Sequence, residues 1–382
     1  MKVYFDNAAT TPLHPKVLER VTKFLADEYG NPSSIHSFGR SARVAIEEAR
    51  ETIADFINAD ASEIYFTSGG TEANNFAITG IANEEFKESK KNNIVVTQAD
   101  HKSVIETAEE LPHSGFSVHF CKVTGDTQID YRDLSNSINS NTSLLSFIHV
   151  NNETGTINDL DKALDFADDV IVHTDAVQSF GKIPLDVKKI KINSLSVSSH
   201  KINGPKGSGF LYVKSGTPIS PIIHGGSQER NRRGGTENVA AIVGFAEAVR
   251  IAKHEMDNNY EHAKKLQERF IDGLPTIDKD GIVINGGTNT IPHILSITFK
   301  SGLYNNDAEA MLIYLDINGV AASNGAACTS GTLKPSHVML ASGKSIQDAS
   351  GTIRFSFGSQ NKIEEVDYTL DVLDKLSKKF RK

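Results

Sequence analysis

From residue 63 to residue 201 the chain repeats one device: a short apolar run, a polar cluster, then a stretch with helical spacing. Glu63-Ile64-Tyr65-Phe66-Thr67 runs into Ser68-Gly69-Gly70-Thr71, and Ile94-Val95-Val96-Thr97 runs into Asp100-His101. Residues 143–150 lead to Asn151-Asn152-Glu153, 170–173 to Asp175, and 195–198 to His200-Lys201, with a further strand pattern at 116–121. Strands alternating with helices specify a mainly parallel sheet flanked by helices on both faces, an α/β architecture. Such sheets bind ligands at the carboxyl ends of their strands. Every one of these polar clusters stands at such an end, so one shared site is expected before any chemistry is assigned.

The remainder of the chain frames that sheet. Residues 15–28 carry Val17, Leu18, Val21, Phe24 and Leu25 at amphipathic helical spacing, stopped by Gly30-Asn31-Pro32, and 41–57 repeat the pattern. After about residue 237 two long helical patterns run to about 273. Strand 293–299, helix 307–317, strand 352–357 and helix 362–380 follow, which predicts a smaller α+β unit. The expected organisation is an N-terminal segment 1–13 packing with the small domain, a large domain over 14–250 and a small C-terminal domain over 251–382. Residues 324–351 are rich in Gly, Ser and Ala with weak periodicity, and read as a long loop that carries Cys328.

Composition narrows the function classes. With 38% apolar and 23% charged residues the chain is an ordinary globular one, not a disordered one. A formal charge of −8 without a basic stripe argues against nucleic acid and for small-molecule or protein partners. Two cysteines, Cys121 and Cys328, rule out a disulfide framework and fit a reducing cytoplasm. Cys121 sits in a strand pattern and reads as a buried structural thiol. No segment reaches the ~20 apolar residues of a membrane helix, and the opening residues carry no signal or transit pattern.

The chemistry concentrates in a few residues. Lys201 ends a strand among small residues, flanked by Ser198, Ser199 and His200. Burial lowers an amine's pKa and frees its lone pair for attack on an aldehyde, so the position suits a Schiff-base lysine; it equally suits a solvated loop lysine. Asp175 precedes Lys201 by one strand-helix-strand step and could pair with a protonated pyridine nitrogen, or simply cap a helix. Gln178 could donate to the same ring's phenolate oxygen. Ser68-Gly69-Gly70-Thr71 opens a helix with free N–H groups, an arrangement that holds phosphate and also begins ordinary helices. His101 could stack on a flat ring or act as acid or base.

Their joint order carries more than any one of them. The chain holds Tyr4-Phe5-Asp6-Asn7-Ala8-Ala9-Thr10-Thr11-Pro12, Gly30-Asn31-Pro32-Ser33-Ser34, Thr67-Ser68-Gly69-Gly70-Thr71-Glu72 and His149-Val150-Asn151-Asn152-Glu153. The Asp175 and Lys201 motifs follow, then His224-Gly225-Gly226 with Gln228-Glu229-Arg230, Gly325-Ala326-Ala327-Cys328-Thr329-Ser330-Gly331 and Ile353-Arg354-Phe355-Ser356. In this order they resemble the class-V aminotransferase group of fold-type I pyridoxal-phosphate enzymes. Within that group they are similar to the cysteine desulfurases of the NifS/IscS kind, almost end to end.

The resemblance implies a fold-type I transferase that binds pyridoxal 5'-phosphate and converts L-cysteine to L-alanine, leaving the sulfur on Cys328 as a persulfide. It implies Lys201 as the cofactor lysine, His101 stacked on the ring, Asp175 and Gln178 on its nitrogen and phenolate oxygen, and Asn152 in the same shell. Gly70, Thr71, Ser198 and His200 are implied at the phosphate. Thr236 is implied to reach the phosphate of a second subunit, hence a homodimer, and Arg354 to clamp the substrate carboxylate. The residues around Cys328 resemble the long-loop group, which implies delivery to an acceptor protein: an iron–sulfur scaffold or a thiolation enzyme. Longer relatives carry a tail that docks the scaffold, and this chain ends shortly after Phe380, so that docking tail is not expected. A selenocysteine lyase or another class-V reaction remains the alternative reading.

Overall fold

The computed structural model describes residues 1–324 and 335–382. It opens with β1 (Val3–Tyr4), α1 (Pro15–Ala26), α2 (Ser37–Phe56), β2 (Ile64–Thr67), α3 (Gly70–Ser89), β3 (Asn93–Thr97) and α4 (Lys102–Glu110). Next come β4 (Ser117–Cys121), α5 (Tyr131–Ser137), β5 (Thr142–Ile148), α6 (Leu160–Leu164), β6 (Ile171–Asp175), β7 (Ser194–Ser198) and β8 (Gly209–Val213). A short turn, α7 (Gln228–Asn231), precedes α8 (Val239–Asp278), β9 (Ile282–Ile284), β10 (Ile294–Phe299), α9 (Ala308–Ile317) and β11 (Val320–Ala321). The chain finishes with α10 (His337–Ala341), α11 (Ile346–Ala349), β12 (Thr352–Ser356) and α12 (Ile363–Phe380).

Seven strands form one sheet in the order β2-β8-β7-β6-β5-β3-β4. The run from β7 to β4 is parallel, whereas β8 lies antiparallel to both β2 and β7. Parallel strands buried on both faces read as continuous apolar runs, and β5 is buried at every residue. One core cluster, with Ile53, Phe66, Phe147, Phe180, Phe210 and Phe245, packs α2 and α8 against one face. Another, with Phe76, Ile78, Ile81 and Val104, packs α3 and α4 against the other.

A second, three-stranded antiparallel sheet, β12-β10-β9, has its own core around Phe5, Phe270, Phe299, Phe355 and Leu373. The N-terminus belongs to this second layer: β1 pairs in parallel with β11, and Phe5 packs edge-on to Phe270 and Phe357.

Three expectations need correction. The two helical patterns after residue 237 are one helix, α8, of 40 residues, whose first half packs in the large core and second half in the small one. The proposed boundary at 250/251 therefore falls inside a continuous helix. Two parts of the expected 324–351 loop are helices: α10 and α11 bury Val338, Met339 and Ala349 against Ala99. Both helices are capped by serines, Ser336 and Ser345, whose side chains accept from the third residue on; five- and four-residue helices are too short to show a period. The strand β8, absent from the sequence reading, reverses direction within an otherwise parallel sheet. Cys328 lies outside the described residues.

Candidate active site

The carboxyl ends of β3, β5, β6 and β7 face a cavity of about 480 Å³ between the two sheets. Asp175 is the last residue of β6, Ser198 the last of β7, and Lys201 closes the short turn that follows. His101 follows β3 and caps α4, its Nδ1 accepting from the Ser103 N–H. Gly70 and Thr71 begin α3, and Asn152 follows β5. All of these line the cavity, as do Gln178, His200 and, from the second sheet, Arg354 on β12. Of the sequence-predicted residues, Thr236 stands apart: it is exposed and does not line the cavity.

Backbone geometry explains why α3 opens where it does. Gly69 has φ +151 and no side chain caps the helix, which leaves its first N–H groups directed at the cavity end. A Cβ on Gly209 of β8 would lie 2.7 Å from the Gly69 Cα, so glycine there lets the turn approach the sheet.

Charge and hydrogen bonding are tightly arranged. Lys201 Nζ donates to the carbonyls of Ala8 and Ala9 at 2.6 and 2.7 Å. Burial, and next the Arg354 guanidinium, push the Lys201 amine down to about 8, against the pull of Asp6 and Asp175. Asp175 is 2% exposed; its Oδ1 accepts from the Val177 N–H at 2.9 Å and its Oδ2 from Asn74 Nδ2 at 2.7 Å. Arg354 donates from Nη1 to the Asn152 carbonyl at 2.7 Å and from Nη2 to Asp6 at 3.0 Å. Gln178 Nε2 donates to the Ala8 carbonyl at 2.9 Å, while its Oε1 accepts from Lys182 Nζ at 2.8 Å. Burial, then Lys201 and Arg354, hold Lys182 down to about 7. His200 is held at about 4 by burial and then by Lys201.

Asp6, Asn74, Ser103 and Ser323 also line the cavity, and sequence reasoning did not single them out. Asn74 had one signal available: it is the polar residue among the otherwise apolar or small buried residues of α3.

Among the described residues, three buried polar atoms at the cavity have no partner: Asn152 Oδ1, Ser323 Oγ and Arg354 Nε. Buried polar groups are nearly always satisfied, so they call for a polar ligand. A flat cationic ring with an aldehyde and a phosphate meets what is present. A buried carboxylate (Asp175) suits a ring nitrogen, an amine titrating near neutrality (Lys201) suits an aldehyde, and an uncapped helix start beside Ser198 and His200 suits a phosphate.

Comparisons with known proteins agree. A family model described as aminotransferase class-V matches residues 3–369. The cysteine desulfurase IscS of Dictyoglomus turgidum is 44% identical, over 100% of this chain and 95% of that protein. The cysteine desulfurase IscS of Methanosarcina thermophila is 40% identical over 99% and 93%. Among solved structures, a NifS-like protein superposes with a TM-score of 0.91 at 35% identity, covering 100% of both chains. SspA in complex with cysteine gives 0.81 at 34%, over 94% and 99%. With a helix-flanked, mainly parallel sheet whose strand ends gather a half-buried lysine and a buried aspartate, the chain belongs to the class-V aminotransferases, a family dependent on pyridoxal 5'-phosphate.

Proposed function

We propose that this protein is a cysteine desulfurase that converts L-cysteine to L-alanine and leaves the sulfur on Cys328 as a persulfide. The observation that carries the reading is that one cavity is lined by Lys201, Asp175 and Arg354, whose buried Nε has no partner among the described residues. The full-length likeness to proteins named cysteine desulfurase points the same way.

In this reading Lys201, Asp175, Gln178 and Asn152 hold pyridoxal 5'-phosphate by its ring, and Gly70, Thr71, Ser198 and His200 by its phosphate. The cofactor supplies, when bound, an electron sink for charge left on the substrate's α-carbon. Arg354 receives the substrate carboxylate through its planar fork of donors, for which Asp6 and the Asn152 carbonyl hold the guanidinium in place. Lys201, an amine titrating near about 8, takes the α-proton at Nζ and returns it to carbon. The Cys328 thiolate attacks the substrate sulfur: an S–S bond forms, the C–S bond breaks, and the thiol's proton balances the methyl group of alanine. Thr236, exposed and outside the cavity, serves the phosphate of a second copy in a homodimer. The persulfide passes to an iron–sulfur scaffold or thiolation enzyme in the reducing cytoplasm.

The test is mass spectrometry of the holoenzyme after brief exposure to L-cysteine without reductant. One added sulfur on the Cys328 peptide, with alanine released, is expected. Alanine without that sulfur would replace the desulfurase reading by a lyase that frees sulfur directly, and neither product would move the substrate elsewhere.

A further inference from the structure

Beneath the cavity a chain of hydrogen bonds joins three buried residues, Asn74 of α3, Ser103 of α4 and Asp175 of β6, to His101. Asn74, on the second turn of α3 and 1% exposed, meets Asp175, Ser103 and His173 directly and His101 only through Ser103. Its Nδ2 lies 2.7 Å from Asp175 Oδ2 and 2.8 Å from Ser103 Oγ, and its Oδ1 lies 3.1 Å from His173 Nε2. Ser103 Oγ in turn lies 2.8 Å from His101 Nδ1, and the Ser103 N–H donates to that same nitrogen at 3.2 Å.

The proton positions follow by elimination. A carboxylate only accepts, so the Asp175 side must meet the NH₂ of Asn74, which fixes the amide's orientation. Asn74 Oδ1 therefore faces His173, whose Nε2 must carry the proton, and His173 Nδ1 accepts from Ser194 Oγ at 2.9 Å. Asn74 spends its second N–H on Ser103 Oγ, which leaves the serine hydroxyl proton for His101 Nδ1. A backbone N–H cannot turn away, so the Ser103 N–H makes the opposite arrangement, with a proton on His101 Nδ1, a meeting of two donors. The neutral His101 ring therefore carries its proton on Nε2, which has no protein partner among the described residues.

We propose that Asn74 is a positioning residue that couples Asp175 to His101 through Ser103, locking His101 as the Nε2–H tautomer so that it offers the cavity a hydrogen-bond donor and cannot serve as the base. The α-proton then falls to Lys201. That consequence rests on the proposed desulfurase reading; the hydrogen-bond geometry does not. Burial is the largest influence on His101 and holds it below the usual histidine range; Asp175 opposes this, and Lys201, His337 and Lys102 reinforce it. These are the charged and titratable groups facing the ring, so the neutral form prevails at neutral pH.

Ring-nitrogen NMR of histidine-labelled holoenzyme tests this, with the His101 signals identified by their loss in His101→Gln. Between about pH 6 and about pH 8, where histidines ordinarily titrate, Nε2 should stay protonated and Nδ1 bare. In Ser103→Ala the His101 midpoint should rise by about half to one unit with the cofactor absorption band unmoved, since one hydrogen bond to the neutral ring is lost. In Asn74→Leu the cofactor band should shift as well, and kcat should fall about tenfold with KM little changed. A proton on His101 Nδ1 in the unsubstituted protein overturns the proposal, as does a His101 titration unchanged in Ser103→Ala, a substitution that leaves Asn74 and the core intact. The expected tautomer in a protein that releases no alanine from L-cysteine would sink the proposed function and leave the network standing. Cysteine turnover with a proton on Nδ1 would do the reverse.

Discussion

At the scale of single residues the site is governed by how few charges it leaves to water. Lys201 and Arg354 share one cavity, and the guanidinium is the leading charged neighbour that lowers the lysine. The neutral amine is the nucleophile toward an aldehyde, so uptake of pyridoxal phosphate by the cofactor-free protein should quicken with pH and level off above about 8. Arg354→Met removes a positive neighbour, lets the ammonium persist, and should carry that plateau to higher pH. Stopped-flow absorbance of cofactor loading checks it; an unmoved plateau would mean burial alone sets the lysine. Most of these residues were legible in the sequence because each follows an apolar strand. Asn74, Ser103 and Asp6 were not, because no local pattern marks their partners: Ser103 to Asn74 spans 29 positions, Asn74 to Asp175 spans 101 and Asp6 to Arg354 spans 348.

At the scale of elements, the segment leading to Thr236 is held by a buried ion pair. Glu229 takes a left-handed backbone, φ 45, as do Arg230 and Asn231 at 56 and 62. Non-glycine residues there are strained, and strain persists only where surroundings over-determine it. The clamp is Arg50 of α2: its Nη1 and Nη2 meet the two Glu229 oxygens at 2.8 and 2.9 Å, and Glu229 also accepts from the Phe66 N–H of β2. Both side chains are 2% exposed. Removing one partner strands the other charge, so Arg50→Met should cost roughly 3–5 kcal/mol in urea unfolding. Arg50→Met with Glu229→Met should recover much of that loss; a double variant no better than the single would show that Phe66 and the turn, not the pair, carry the stability. Elements with a clear apolar run or period, such as β5 or α12, were legible to within one or two residues. The short α10 and α11 were not, because they are shaped by packing on Ala99 and by serine caps rather than by a repeat.

At the scale of the whole molecule, the first residues tie the second sheet to the cavity. Phe5 is fully buried in the small core, Asn7 Nδ2 donates to the Ser356 carbonyl at 2.9 Å, and Ala8 and Ala9 offer their carbonyls to Lys201. Phe5→Ala should therefore cost about 3–5 kcal/mol of stability and slow cofactor uptake as well. A variant that unfolds more easily in urea yet loads cofactor at the normal rate would show that the strap and the site are independent.

The sequence by itself determined the sheet, the helices that cover it and the strand ends where chemistry collects, because apolar period and polar punctuation are local properties of a chain. Only the tertiary structure decided that α8 runs unbroken through both cores, that β8 turns against its neighbours, and which partner each buried polar atom meets. Those outcomes depend on what packs against each element from elsewhere in the chain. A local pattern constrains which face of an element is buried but not what lies against it.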